Sequence, residues 1–379
     1  MTTPFIYGKI ADKDNFTDRI VETEYLENNF SSLINTTIIS PRRWGKTSLV
    51  NKVIQQTREK HTDYIFCQID LFNIRSEKEF YIAFAKAILN ASYSKWEEIA
   101  ETAKKYLSRM IPKISLSGGE TSYDLTFGID WDMQDYSFDE VLDLPQTLAS
   151  AKQKKMVICI DEFQNINTYP DPLAFQKKLR AHWQHQTDVC YCLYGSKRHM
   201  LQTLFSNSNM PFYKFGDILF LQKISQEDWI KFITTRFEQT NKHISVNLAG
   251  KIADLMENHS YYTQQLSQQV WLRTEKICTE QILTSAFKSL INQLSLLFTS
   301  IIDMLPLRQI NFLQAILEGE KNFSSKSVLK KYDLGTSANI KNLKNSLLEK
   351  DIIDITSKNE VLIQDPAFKY WLKDEYFHL

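Results

Sequence analysis

The sequence predicts an α/β fold: a three-layer α/β/α core on a mainly parallel sheet, followed by an α-helical lid and a winged-helix domain. Three observations predict it. Short apolar runs alternate with amphipathic stretches through the first half of the chain. Strand-like runs stop at Ser225 and helical periodicity takes over. The tail then reads as helix, helix, helix and two short strands.

The expected core strands are NTTIIS (35–40), DYIFCQID (63–70), KMVICID (155–161), VCYCLYG (189–195) and DILFLQ (217–222), with helix-like segments between them. Residues 111–137 alternate polar and apolar around Gly118-Gly119 and predict an inserted hairpin. Ser225, with Asp228 three residues on, has the spacing of a helix cap and opens the lid. In the tail, LRQINFLQAILEG, SSKSVLKKYD and TSANIKNLKNSLLEKDII are the three helices, and IIDIT and EVLIQ are strands around the turn SKN. The expected domains are therefore 1–224 for the core with its hairpin, 225–300 for the lid and 301–379 for the winged helix.

Composition bounds the function. The 379 residues, 43% hydrophobic and 12% aromatic, are enough for two or three real cores. The 45 Lys and Arg balance the 45 Asp and Glu, so binding to nucleic acid or an anionic membrane would need a local patch. Cys67, Cys159, Cys190, Cys192 and Cys278 form no C-x-x-C pair and mostly lie in apolar runs, which suits a reducing compartment. No charged-then-apolar leader opens the chain, and no apolar stretch nears the ~18 residues that span a bilayer. The expectation is a cytoplasmic protein without a membrane partner.

The chemistry-bearing stretch is ISPRRWGKTSLV, residues 39–50. A phosphate-binding loop is written G-x-x-x-x-G-K-[ST], and Gly45, Lys46 and Thr47 match it after a strand and before a helix. Ser40 stands where the first glycine is expected. That glycine eases the turn out of the strand, which a small serine followed by Pro41 also does; close approach to phosphate falls on Gly45. Ser40, Pro41, Arg42, Arg43, Trp44, Gly45, Lys46, Thr47 and Ser48 form the expected nucleotide cradle. Lys46 would reach the β- and γ-phosphates of ATP and Thr47 would ligate Mg²⁺. Arg42 and Arg43 fold over either the phosphate or the sheet edge.

KKMVICIDEF ends an apolar strand in two carboxylates with separate tasks. Asp161 would hold Mg²⁺ through water, and Glu162 would act as general base on the attacking water. The next strand ends in Gly195-Ser196, where many ATPases with such a loop place a polar residue, and similarity to them makes Ser196 the candidate to touch the γ-phosphate or the water. The pair His182 and His185 lacks a third ligand at metal-site spacing and reads as a solvated helix face.

With these residues the chain resembles an AAA-type P-loop ATPase of the archaeal/bacterial ATPase group related to the signal-transducing STAND ATPases. FIYGKIADKDNFTDRIVE, SPRRWGKTSLV, VICIDEFQNI and YGSKRHMLQTLF with MPFYKFGDILFLQKIS carry the resemblance, joined by NHSYYTQQLSQQVW and DPAFKYWLKDEY. It covers nearly the whole length. It implies that the opening segment lies near adenine, through Phe16, Arg19 and Glu22. The sequence departs from the pattern at Ser40 and in the lid stretch ENHSYYTQQL, which lacks the γ-phosphate-sensing arginine. An arginine finger, supplied by a neighbouring subunit or a mobile element, would fall on Arg180 or Arg198, each alternatively a surface arginine.

The winged helix leaves two partners open. Lys326, Lys330, Lys331, Lys341 and Lys344 make it locally basic, and Asn339 and Asn342 lie three apart on its third helix, as for DNA contact. Arginine is absent from the second and third helices, which fits a module that binds protein or packs on the core. The functional expectation is a Mg-dependent ATP hydrolase acting as a nucleotide-driven switch or assembly motor, with ATP/ADP as ligands and a nucleotide-dependent homo-oligomer as one possible state. The alternative is a nucleotide-gated DNA-binding regulator or replication-initiator-like protein with little hydrolysis.

Overall fold

The computed structural model describes residues 3–11, 15–107, 110–116, 123–129, 138–356 and 359–379. The chain divides into two compact units. One comprises Arg19–Arg42 and Lys46–Leu221, and is called the sheet unit here. The other comprises Met1–Asp18, Arg43–Gly45 and Gln222–Leu379, and is called the helical unit.

The sheet unit opens with α1 (Ile20–Ser31), β1 (Thr36–Ile39), α2 (Lys46–Lys60) and β2 (Tyr64–Asp70). Next come α3 (Glu77–Ser92), α4 (Trp96–Tyr106), the strands β3 (Met110–Leu116) and β4 (Tyr123–Ile129), and α5 (Asp139–Lys152). It closes with β5 (Lys155–Asp161), α6 (Pro172–Trp183), β6 (Val189–Gly195), α7 (Arg198–Ser206) and β7 (Asp217–Phe220). Among the described residues the main sheet has five parallel strands in the order β2-β5-β6-β1-β7. All five are the strands expected from sequence, because a parallel sheet covered on both faces demands continuous apolar runs. Burial follows the order: β6 and β1 are buried at every residue, whereas the edge strands β2 and β7 reach solvent. β3 and β4 pair antiparallel with Ile111 opposite Gly128, inside the stretch 111–137 read as a hairpin; the Gly118-Gly119 turn lies outside the described residues.

One face of this sheet rests on an aromatic layer. Trp183 of α6 stacks on Tyr191 of β6 with ring centroids 4.0 Å apart. Phe163, immediately after the two carboxylates, is fully buried and meets Phe212 edge-on at 5.2 Å. Burying such a ring removes roughly 150–250 Å² from water. The turn after β5 is thereby anchored from below.

The helical unit contains α8 (Gln226–Glu238), α9 (Val246–Leu255), α10 (Ser260–Arg273) and α11 (Glu280–Asp303). The tail adds α12 (Leu307–Leu317), α13 (Lys326–Lys331), α14 (Ser337–Glu349), β8 (Ile353–Ile355), β9 (Val361–Ile363) and α15 (Pro366–Trp371). This is the three-helix, two-strand order expected of a winged helix, with β8 and β9 antiparallel. Caps start the helices where the sequence offers them: Ser225 accepts from the Asp228 N–H at 3.1 Å, and Ser245, Thr279 and Ser325 serve the same way. Asp365 caps α15 by accepting from the N–H groups of Ala367 and Phe368, and its other oxygen accepts from the Tyr262 hydroxyl. Phe298 of α11 packs against Phe368 and Trp371 of α15, so α8–α15 share one core. Phe5 is buried in that core against Phe232 and Phe237. Among the described residues no helix is long and apolar enough to cross a membrane.

His259, at the start of α10, is 4% exposed, and burial, with the nearby Lys223 and Arg43 charges, pushes its pKa from 6.5 down to about 3. The folded value lies below the unfolded one, so the unfolded chain takes the proton first and stability is lost as pH falls from 6.5 toward 3. Between pH 7 and pH 5 this loss is about 2 kcal/mol. Denaturant unfolding at the two pH values checks it: His259→Gln should lose less stability on acidification than wild type by about that amount.

Candidate functional site

The site is built at the carboxyl ends of β1, β5 and β6, adjacent strands in the sheet unit. At the end of β1 the chain turns through Ser40 and Pro41, both buried. Among the described residues, positive φ in the loop falls on Arg43 at 63° and Gly45 at 93°, not on Ser40. A β-carbon at position 40 is therefore accommodated without strain, which explains how serine replaces the expected glycine. Gly45 is required for its backbone angle, and a Cβ there would meet no protein atom within 4 Å.

Lys46 opens α2, is 6% exposed, and points back along the loop. Its ammonium donates to Ser40 O at 3.0 Å, Ser40 Oγ at 3.2 Å and Pro41 O at 2.8 Å. An ammonium has three hydrogens to place, and loop oxygens receive them. Thr47 donates from its hydroxyl to Asp161 Oδ2 at 2.9 Å, and Asp161 Oδ1 accepts from the Glu162 N–H at 2.8 Å. Burial pushes the Asp161 carboxyl up from its ordinary range, opposed by those two hydrogen bonds and by the Lys46 charge.

Glu162 stands in the left-handed region with φ 51° and ψ 39°. A bulky non-glycine residue there costs roughly 1–2 kcal/mol. The turn brings its carboxylate to β6, where Oε2 accepts from the Ser196 hydroxyl at 2.9 Å and the Ser196 N–H at 3.3 Å. The same oxygen accepts from the side-chain amide of Gln164. Gln164 was not among the residues expected to act. It was visible only as part of VICIDEFQNI, and nothing in its spacing shows that the backbone would fold it back under Glu162.

Lys46, Thr47, Asp161, Glu162 and Ser196, with Ser40 and Pro41, thus meet at one edge of the sheet unit. Arg42 is exposed, and Ser48 lies in the first turn of α2. Arg19 and Glu22 pair at 2.8 Å at the start of α1, while Phe16 belongs to the helical unit. In that unit the Arg43 guanidinium stands 4.6 Å from the Tyr261 ring centre, and Lys223 stands 5.9 Å from the Trp44 ring centre. Arg180 is committed inside the sheet unit, its guanidinium 4.8 Å from the Phe215 ring centre and its pKa lowered by burial. Arg198 begins α7 and its N–H donates to Ser196 O at 3.1 Å. His182 is not simply solvated: it contacts Asp143 at 2.7 Å and Asp139 at 3.2 Å, carboxylates supplied by α5. Among the described residues no group of three or more His, Cys, Asp or Glu side chains is arranged to hold a metal ion, these included.

Residues 44–169 match the family described as "KAP family P-loop domain", and residues 296–374 match one described as "Probable winged helix domain". The fold is similar to that of the Walker-type ATPase paby2304 of Pyrococcus abyssi, at 16% identity and a TM-score of 0.67, covering 98% of this chain and all of that one. It is similar also to the ORC2 protein of Aeropyrum pernix in its ADPNP–ADP complexes, at 12% identity and a TM-score of 0.56, covering 96% of this chain and 94% of that one. At such identities the likeness is one of fold. A search of curated proteins finds no match. The chain carries a P-loop NTPase domain and a C-terminal winged helix.

The Thr47–Asp161 bond ties the loop helix to β5, and Thr47→Val removes it while keeping the shape. Thr47 is half-buried, so water would replace part of the bond. Denaturant unfolding of the nucleotide-free protein should show a loss of about 1 kcal/mol, the usual net worth of one such bond.

Proposed function

We propose that the chain binds ATP with Mg²⁺ and hydrolyses it, using the nucleotide state as a switch or assembly drive. The observation that carries this reading is the meeting of Lys46, Thr47, Asp161, Glu162 and Ser196 at adjacent strand ends. Each has the side chain its role requires. Lys46 is a buried cation whose present acceptors are neutral loop oxygens, which a triphosphate would outcompete by charge. The start of α2 supplies backbone N–H groups to the same phosphates.

The donor set fits magnesium. A hydroxyl and a carboxylate 2.9 Å apart are hard oxygen ligands, and the desolvated Asp161 gains most from a cation. Bound there, Mg²⁺ would offset charge on the β- and γ-phosphates. Thr47 and Asp161 would hold it, Glu162 would accept a proton from the attacking water, and Ser196 would orient the base. Adenine is favoured over other bases by the likeness to a Walker-type ATPase and to a fold solved with ADPNP and ADP. Of the two arginine-finger candidates, Arg198 and Arg180, the latter is engaged with Phe215.

DNA binding by the winged helix is the second reading, and the geometry narrows it. Lys331 is engaged by Glu318 at 2.8 Å and Glu320 at 3.5 Å. Lys344 packs over Phe323, and burial lowers its pKa. The Asn339 side chain accepts from the Thr336 hydroxyl at 3.3 Å. The exposed face of α14 then presents Ser337, Ala338, Lys341, Asn342 and Asn345, a polar stripe with one cation. That stripe suits base contact but offers little attraction to phosphate, so the ATPase reading does not depend on it.

Two outcomes are expected. Purified protein should turn over ATP with Mg²⁺ and stop when the metal is chelated, and Lys46→Ala should bind ATP at least about tenfold more weakly, as loss of a charge-assisted contact implies. Turnover without divalent metal, or unchanged affinity in Lys46→Ala, would remove the loop assignment. For the second reading, duplex DNA should bind the full chain at low salt, weaken steeply with added salt and weaken again in Lys341→Glu; no binding at low salt rejects it.

A further inference from the structure

We propose that Gln164 is a positioning residue for the general base. Its side-chain N–H, with the hydroxyl and backbone N–H of Ser196, fixes Oε2 of Glu162, so that Oε1 is the oxygen presented to the attacking water. The proposal rests on the hydrolase reading of the same site and names a residue which that reading does not require.

Three departures from what stability alone would choose converge on this carboxylate. The first is the backbone of Glu162, held at φ 51° by a residue type that seldom adopts it. That conformation starts the tight turn Phe163–Thr168 and returns residue 164 beneath residue 162. The second is Gln164 itself, 1% exposed, with its amide oxygen buried and without a hydrogen-bond partner. An apolar side chain of the same length would fill that space without stranding an acceptor. Gln164 is explained by the other end of its amide, whose N–H reaches Glu162. The third is Gly195, the last residue of β6. A Cβ there would overlap Gln164 Oε1 and stand 2.9 Å from its amide carbon and 3.2 Å from Glu162 Cα. Its φ is negative, so the glycine serves space and not backbone freedom.

The consequence for hydrolysis is geometric. A carboxylate rotates about its last bond unless something holds it, and three donors from two strand ends hold Oε2. Among the described residues Oε1 takes no hydrogen bond. In the hydrolytic step the water oxygen forms its bond to the γ-phosphorus as the bond to the bridging oxygen breaks, the electron pair leaving with ADP. The water's proton passes to Glu162 Oε1. Gln164 gains and loses nothing; it keeps the receiving oxygen in place.

The test compares Gln164→Met, which keeps length and removes the donor, with wild type, and adds Gly195→Ala as an independent route, since its Cβ displaces the same amide. Both variants should lower kcat about tenfold or more, the effect of one hydrogen bond to a charged group, with KM and ATP affinity unchanged. A second readout needs no nucleotide. In the nucleotide-free chain, the amide proton signals missing from the Gln164→Met spectrum identify Gln164, and they should exchange with solvent about tenfold faster in Glu162→Ala than in wild type. Wild-type kcat in Gln164→Met, from a protein that does hydrolyse ATP, overturns the proposal and leaves the ATPase reading standing. Parallel loss of ATP affinity and kcat makes Gln164 a structural residue and overturns it as well. Equal amide exchange in Glu162→Ala removes the contact on which it rests. Absence of turnover in wild type sinks the hydrolase reading and this proposal together, whereas amide exchange still reports on the contact alone.

Discussion

Parallel strands end at the same edge of a sheet, and the candidate site depends on that constraint. With the order β2-β5-β6-β1-β7, β6 lies between the strand that feeds the loop and the strand that ends in Asp161 and Glu162. Residues far apart in sequence, Lys46, Asp161 and Ser196, are thereby delivered to one edge without any loop having to reach. The Thr47–Asp161 bond spans from the loop helix to β5, and the Ser196–Glu162 bond spans from β6 to β5. Both are local consequences of strand order. The fully buried rows of β1 and β6, with Phe163 and Trp183 packed beneath, keep that order rigid.

Two of the positive backbone angles at non-glycine residues fall in the candidate motifs, Arg43 in the loop and Glu162 after β5; Gly45 takes such an angle at no steric cost, and Ser40 does not need one. The replacement of glycine by serine thus falls at the one loop position of the pair where a side chain is harmless. The Lys46 ammonium already has acceptors in Ser40 and Pro41, so nucleotide binding would exchange neutral oxygens for charged ones. That exchange is favourable because hydrogen bonds between charged groups are the stronger kind.

Much of this was legible in the sequence, for a physical reason. Buried parallel strands are uninterrupted apolar runs, and residues at their ends inherit a common edge, so the strands together with the Gly-Lys-Thr motif and the paired carboxylates pointed to Lys46, Thr47, Asp161, Glu162 and Ser196. What was not legible depends on contacts between distant segments or on a single backbone angle. His182 finds Asp139 and Asp143 on α5, more than three dozen residues away, where spacing along its own helix showed no ligand. Lys344 counts as a basic residue in sequence, yet it is packed over Phe323. Arg180 reads as a free arginine and lies over Phe215. Gln164 becomes visible only when Glu162 is seen to turn left-handed. Phe5, close to the chain start, is buried among helices more than two hundred residues later, which no local periodicity reveals.

The central claim is that Glu162 acts as the base of a working phosphate site whose loop begins with serine. Its most direct test is steady-state ATP turnover with Mg²⁺ by wild type beside Glu162→Gln, with ATP affinity measured for both. The account predicts equal affinity and a fall in kcat of at least about a hundredfold, the low end of what a general base supplies. Equal turnover by the two proteins would place the base elsewhere and contradict the account.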